Sequence, residues 1–234
     1  MANTFILVHG SFQGGWIWQP TAAILRAAGH RVYTPTLDGC AERKVNLRAG
    51  LTVSTAATEL AEMMFYEDVQ DTVLVATSSG GLVVQKLATL ATIRINRLVF
   101  LDALVPEPGV SVKDIVQPLP GSAPFKVTEF TRGPTRAQME AGLFAELHGE
   151  QKSWALDRAT LHPLGLSDQL PGELDDFWES QWRATVIHCT KSANPPEAHQ
   201  RRTAQRLAAA WHDMDAGHYP MLTHPEETAR LLLA

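Results

Sequence analysis

At 234 residues the chain is long enough for one sizeable core and short for more than two domains. Apolar residues make up 45% and charged residues 19%, the balance of a globular protein rather than of a disordered or fibrous one. A net charge of -5 with scattered Lys and Arg lacks the concentrated basic surface that nucleic acid requires, and two cysteines are too few for a disulfide framework or a Cys-rich metal site.

Short β-rich runs alternate with longer helical segments, the signature of βαβ units around a mostly parallel sheet. In chain order the predicted strands are Phe5 to Val8, Arg31 to Thr34, Thr72 to Ala76, Arg97 to Leu101, Thr185 to His188 and Ala210 to Met214. Most are continuous apolar runs, as strands buried on both faces should be. Between them the spacing predicts helices over Thr21 to Ala28, stopped by Gly29, over Ser54 to Tyr66, over Gly81 to Leu90 and over Glu197 to Ala208. On the last of these, Arg201, Arg202 and Arg206 read as a solvated face.

From about Val105 to Trp182 the rhythm breaks into Pro- and Gly-punctuated pieces, opening with Pro106-Glu107-Pro108-Gly109. This 105–182 segment is expected to be a helical cap inserted into a single domain spanning 1–234. Its aromatics, Phe125, Phe130, Phe144, Trp154, Phe177 and Trp178, either line a pocket or pack the cap onto the core. No run reaches the about eighteen uninterrupted apolar residues of a membrane span, and the opening lacks the basic n-region and cleavage site of a secretory signal. A cytoplasmic protein is therefore expected, with no membrane partner, and a homodimer is left open.

Thr72 to Ala76 followed by Thr77-Ser78-Ser79-Gly80-Gly81-Leu82 is a buried strand, a tight turn of small residues and a helix start, the setting of a nucleophile elbow. Ser78 is the candidate nucleophile; Ala76 stands where G-x-S-x-G has its first Gly. Ser79, at the helix start, can aim its N–H at an oxyanion. A second donor is expected from the turn after the first strand, where Gly10 permits close approach to substrate, Ser11 offers its N–H and Phe12 borders the pocket. His218, in Ala216-Gly217-His218 after the last strand, is the candidate base. The other eight histidines lack such a context, and no cluster has metal-ligand spacing, so neither metal nor cofactor is expected.

Phe5-Ile6-Leu7-Val8-His9-Gly10 through Gly14-Gly15-Trp16, then Leu101-Asp102-Ala103, Cys189-Thr190 and Ala216-Gly217-His218 with Pro220-Met221-Leu222, resemble the α/β-hydrolase branch that contains plant methylesterases and hydroxynitrile lyases. The resemblance covers nearly the whole chain and is weakest in the cap. It implies an α/β-hydrolase fold with a mostly parallel sheet of about six strands flanked by helices, and hydrolysis of a small carboxylic ester or lactone by a serine mechanism without a cofactor. The alternative is a member that has left hydrolysis for lyase, cyclase or ligand-binding work. The family's lyases place Lys after the base and Thr after the first-strand His, where this chain has Tyr219 and Gly10. The family also has an aspartate shortly after the Cys-Thr pair, where this chain has Ser192. Asp102, at a neighbouring strand end, is the expected replacement acid, the alternative being a plain loop cap. Asp213, Asp215 and Glu107 are poorer candidates.

Overall fold

In the computed structural model, which describes residues 2–116 and 123–234, six strands form one all-parallel sheet. They are β1 (Thr4–Val8), β2 (Arg31–Tyr33), β3 (Thr72–Ser78), β4 (Ile95–Ala103), β8 (Ala184–Cys189) and β9 (Ala210–Met214), in the spatial order β2-β1-β3-β4-β8-β9. The central strands were legible as apolar runs because they are buried on both faces, whereas the edge strands β2 and β9 are mixed. β3 and β4 both run past their predicted ends, and the register shifts between Thr77 and Ser78 so that Ser78 lies opposite Ala103.

Helices α1 (Gln19–Ala27), α2 (Val53–Tyr66), α3 (Gly80–Leu90) and α7 (Glu197–Arg206) complete the crossovers. Gly29, at φ +87°, ends α1 as expected, because a left-handed residue there costs glycine nothing. Thr52 caps α2 in a reciprocal pair with Thr55. One core cluster joins α2 and α3 to one sheet face; a second joins α1 and the C-terminal helices α8 (Pro220–Thr223) and α9 (Pro225–Leu233) to the other.

Between β4 and β8 the chain builds a layer of short helices that also holds a small sheet. It contains α4 (Val112–Ile115), strands β5 (Lys126–Val127), β6 (Thr131–Gly133) and β7 (His162–Pro163) in a small antiparallel sheet, α5 (Arg136–Gln138) and α6 (Gly149–Arg158). Strands of two or three residues are too short to show any periodicity. The aromatics divide by contact: Phe177 stacks on Trp182 and meets Phe100, Trp154 meets Trp16, and Phe144 lies under Tyr219, all packing roles. Phe125 meets Phe12 edge-on instead. Residues 117–122 of the predicted cap fall outside the described residues.

On α7, Arg201 pairs with Glu197 and Arg206 with Glu107, the solvated face the spacing implied. No helix among the described residues is long and apolar enough to cross a membrane, and none of their His, Cys, Asp and Glu side chains form a group that could hold a metal ion.

Three histidines serve the architecture. His9 donates from Nδ1 to Gly10 O at 2.8 Å and accepts at Nε2 from Leu37 N–H at 3.1 Å, which joins the turn after β1 to the chain following β2. His199 Nε2 accepts from Val105 N–H, and His162 sits wholly buried beside Cys40. Burial pushes His9 and His199 down to about 4 and His162 to about 3. Unfolded histidines take up protons near pH 6.5 while these remain neutral, so the unfolded state binds more protons as pH falls. Stability should be fully present above pH 6.5 and decline toward pH 4, with an uptake of about two to three protons on unfolding near pH 5. Urea midpoints at stepped pH, with imidazole NMR reporting the neutral rings, would check this; a midpoint flat from pH 6.5 to 4.5 would contradict it.

Candidate active site

Because every strand of the main sheet runs the same way, their carboxyl ends gather along one edge, and that edge carries the candidate residues. Ser78 closes β3 at φ +51°, a left-handed conformation that is costly for a residue with a Cβ. The surrounding backbone enforces it. A Cβ on Gly80 would stand 2.6 Å from His9 O, and one on Gly81 would stand 1.9 Å from Leu104 O, so α3 can begin there only with glycine. A Cβ on Gly10 would fall 2.5 Å from Ser78 Cβ and 3.0 Å from its Oγ, which places the turn after β1 directly against the hydroxyl. Ala76, in place of the usual Gly, is fully buried between Val8 and Phe100, and its methyl fits there. Ser78 is half-buried, and its hydroxyl makes no hydrogen bond with another described residue.

His218 lies on the loop after β9, and its Nδ1 is 2.5 Å from Asp102 Oδ2. A carboxylate only accepts, so Nδ1 is the donor in this contact and Nε2 faces away from Asp102. Asp102 itself ends β4 at φ +45° and is wholly buried. Ser192 Oγ lies farther from the same Nδ1, at 3.5 Å, and donates to Asn194 O at 3.0 Å. The weaker alternatives are engaged elsewhere: Asp213 with His188, Asp215 with Lys191, Glu107 with Arg206. The His188 contact holds the Asp213 carboxyl below its ordinary range.

Ser11 and Ser79, one on each side of the nucleophile, are joined by a 2.8 Å hydrogen bond between their hydroxyls. Phe12, at φ +69°, turns the loop sharply, and Gln13, buried, accepts from Gly10 N–H. The Phe12 ring meets Phe125 at 5.6 Å and His162 at 6.0 Å, forming an apolar wall. Thus Gly10, Ser11, Phe12, Ser78 and Ser79 form one constellation, and His218 and Asp102 a second contact pair at the same sheet edge.

Sequence reasoning missed two polar side chains beside these. Gln200 donates from Nε2 to Asp102 Oδ1 at 2.6 Å, and Glu146 accepts from Tyr219 N–H at 3.0 Å while its carboxylate fills the space beside Gly217. Gln200 stands with Pro196-Glu197 in a stretch that resembles the family's segment after the cap, but nothing in that stretch shows its partner, because both side chains reach the site from elements distant in sequence. Burial raises the Tyr219 phenol well above its ordinary range, so it stays neutral.

A family model described as "Alpha/beta hydrolase family" matches residues 5–231. The carbendazim hydrolyzing esterase of Nocardioides sp. (strain SG-4G) is 41% identical over 55% of this chain and 51% of its own, so the match spans about half of that relative. Methylesterase 7 of Arabidopsis thaliana is 24% identical over 98% of this chain and 94% of its own. Among solved structures, an extracellular alpha/beta-hydrolase from a Paenibacillus species superposes with a TM-score of 0.82 at 23% identity, covering 99% of this chain and 98% of that one. Tomato Methylketone Synthase I complexed with 2-tridecanone does so at 0.80 and 18%, covering 100% and 97%. These two likenesses establish the fold.

The contact between Gly10 and Ser78 makes a direct test of the constellation. Gly10→Ala should destabilise the protein by about 1–3 kcal/mol through overpacking and slow phosphonylation of Ser78 by a fluorophosphonate probe by roughly tenfold or more. Thermal unfolding and probe kinetics measure both; an unchanged labelling rate would separate the turn from the nucleophile.

Proposed function

The chain belongs to the alpha/beta hydrolase family, and within it we propose that it is a serine esterase cleaving a small carboxylic ester through Ser78, His218 and Asp102. The observation that carries the reading is a strained, half-buried serine at a strand-to-helix turn and, at the same sheet edge, a histidine whose Nδ1 is held by a buried carboxylate. The names of the esterase relatives support the reaction class. Two buried, unpaired cysteines fit the reducing cytoplasm expected from the sequence.

In the proposed reaction Ser78 Oγ attacks the ester carbonyl as His218 Nε2 removes its proton. The oxyanion is received by the N–H groups of Ser11 and Ser79, the latter assisted by the positive end of α3. Asp102 keeps its negative charge throughout; it accepts the Nδ1–H and stabilises the imidazolium. His218 then protonates the departing alkoxide, and the acyl group remains on Ser78. A water deprotonated by Nε2 attacks the acyl-enzyme, and collapse of the second tetrahedral intermediate releases the acid and returns the proton to Ser78. Gly10 leaves room for the tetrahedral carbon, and Phe12 with Phe125 of the 105–182 cap gives the acyl or alcohol group an apolar wall.

A lyase reading needs a cation to receive a departing cyanide, and the position after the base, where the family's lyases carry Lys, does not supply one. Tyr219, neutral and buried, follows the base, and Lys191 is exposed and paired with Asp215. Against a panel of small esters, lactones and cyanohydrins, ester hydrolysis should dominate, and release of cyanide from mandelonitrile should be negligible; rapid release abolished by Ser78→Ala would reverse the assignment.

Ser78→Ala should remove ester hydrolysis by several orders of magnitude with the fold retained. Asp102→Asn should lower kcat by about a thousandfold with little change in KM, because an amide donor selects the wrong imidazole tautomer, whereas Asp215→Asn should be mild. Steady-state kinetics and circular dichroism of the purified variants check this; near-native turnover in Asp102→Asn would dismiss it as the acid.

A further inference from the structure

We propose that Gln200 is a positioning residue for the reaction, fixing the Asp102 carboxylate so that one oxygen faces His218. The inference rests on the reading of Asp102 as the acid that orients His218.

Asp102 is fully buried, so each of its oxygens needs a protein donor if it is to stay ionised. Oδ2 has His218 Nδ1, and Oδ1 has Gln200 Nε2 at 2.6 Å. The second Nε2 hydrogen goes to Pro195 O at 3.0 Å, which fixes the amide plane. The orientation of that amide follows from its surroundings: rotated by half a turn, it would place its oxygen against a carboxylate and a carbonyl, both acceptors. Gln200 is itself 1% exposed, and in the observed orientation its Oε1 is buried with no partner. Leaving one amide oxygen unsatisfied is a cost the structure bears to aim both donors at Asp102 and Pro195.

The choice of an amide has a chemical reason. A lysine or arginine here would pair with Asp102 and compete with the imidazolium for its charge, whereas a neutral donor holds the carboxylate in place and leaves the charge available to His218. Placement comes from α7, whose inner face carries His199 and Gln200. His199 grips Val105 N–H at 3.0 Å while Gln200 grips Asp102, so adjacent residues of one helix clamp the turn that ends β4. Pro195, the other end of the amide, lies in the loop that carries Ser192.

A double-substitution cycle on the full chain tests this, with hydrolysis of 4-nitrophenyl acetate by the native protein, Gln200→Met, Asp102→Asn and the double variant. Gln200→Met should lower kcat by about 10- to 100-fold with KM within about threefold, and should lower it less than about twofold once Asp102 is already Asn. Equal losses in the two backgrounds, or no loss in the native one, would overturn the positioning role. Near-native kcat in Asp102→Asn alone would instead remove the acid assignment and this inference with it. A large loss there beside an innocuous Gln200→Met removes only this inference. Should Gln200→Met not fold, Gln200→Glu replaces it: its carboxyl donates to Asp102 when protonated and repels it when ionised. That variant should gain a basic limb in kcat at lower pH than the native protein, and a loss uniform across pH would count against the proposal.

Discussion

A carboxylate with no exposure to solvent is the constraint on which the site is built. Asp102 sits at the end of β4, and three separate parts of the chain converge on it: its own strand, the His218 loop after β9 and the inner face of α7. A buried charge of this kind is tolerable only when both oxygens are hydrogen-bonded, so the carboxylate requires the histidine and the glutamine as much as they require it. The parallel sheet makes the convergence possible, since it delivers the ends of β3, β4, β8 and β9 to one edge.

The nucleophile is governed by a different force, the exclusion of side chains. Ser78 adopts its left-handed conformation because β1, β3, α3 and the turn after β4 approach so closely that only glycine fits at positions 10, 80 and 81. The strain is borne by central strands whose apolar side chains are buried on both faces, the best-supported part of the molecule. The same crowding brings the Ser11 and Ser79 hydroxyls into contact and so holds together the two residues whose N–H groups are proposed to receive the oxyanion. Glu146, reaching from the inserted layer to Tyr219 N–H, ties that layer to the loop carrying His218, so movement of one would be felt by the other.

What was readable along the chain was whatever depends on neighbours in sequence. The six strands and four crossover helices follow from apolar runs and helical spacing, and Ser78 and His218 stand in local patterns that name a chemistry. Asp102 was reachable by argument because strand ends in a parallel sheet share an edge, and its 2.5 Å contact with His218 agrees with that geometry. The small sheet within the inserted layer was not legible, since β5, β6 and β7 are too short to carry a pattern of their own and β7 joins β6 across a long stretch of chain.

Sequence by itself therefore determined the sheet, the strained turn and the candidate serine and histidine, because backbone sterics and apolar periodicity act over a few residues. Only the tertiary structure decided which carboxylate faces the histidine, that Ser192 stands at 3.5 Å beside it, and that Gln200, on a helix whose exposed face reads as a row of arginines, turns its amide inward to hold that carboxylate. Hydrogen bonds between residues about a hundred positions apart leave no local signature; they exist because folding brings buried polar groups together, and each must find its donors and acceptors there.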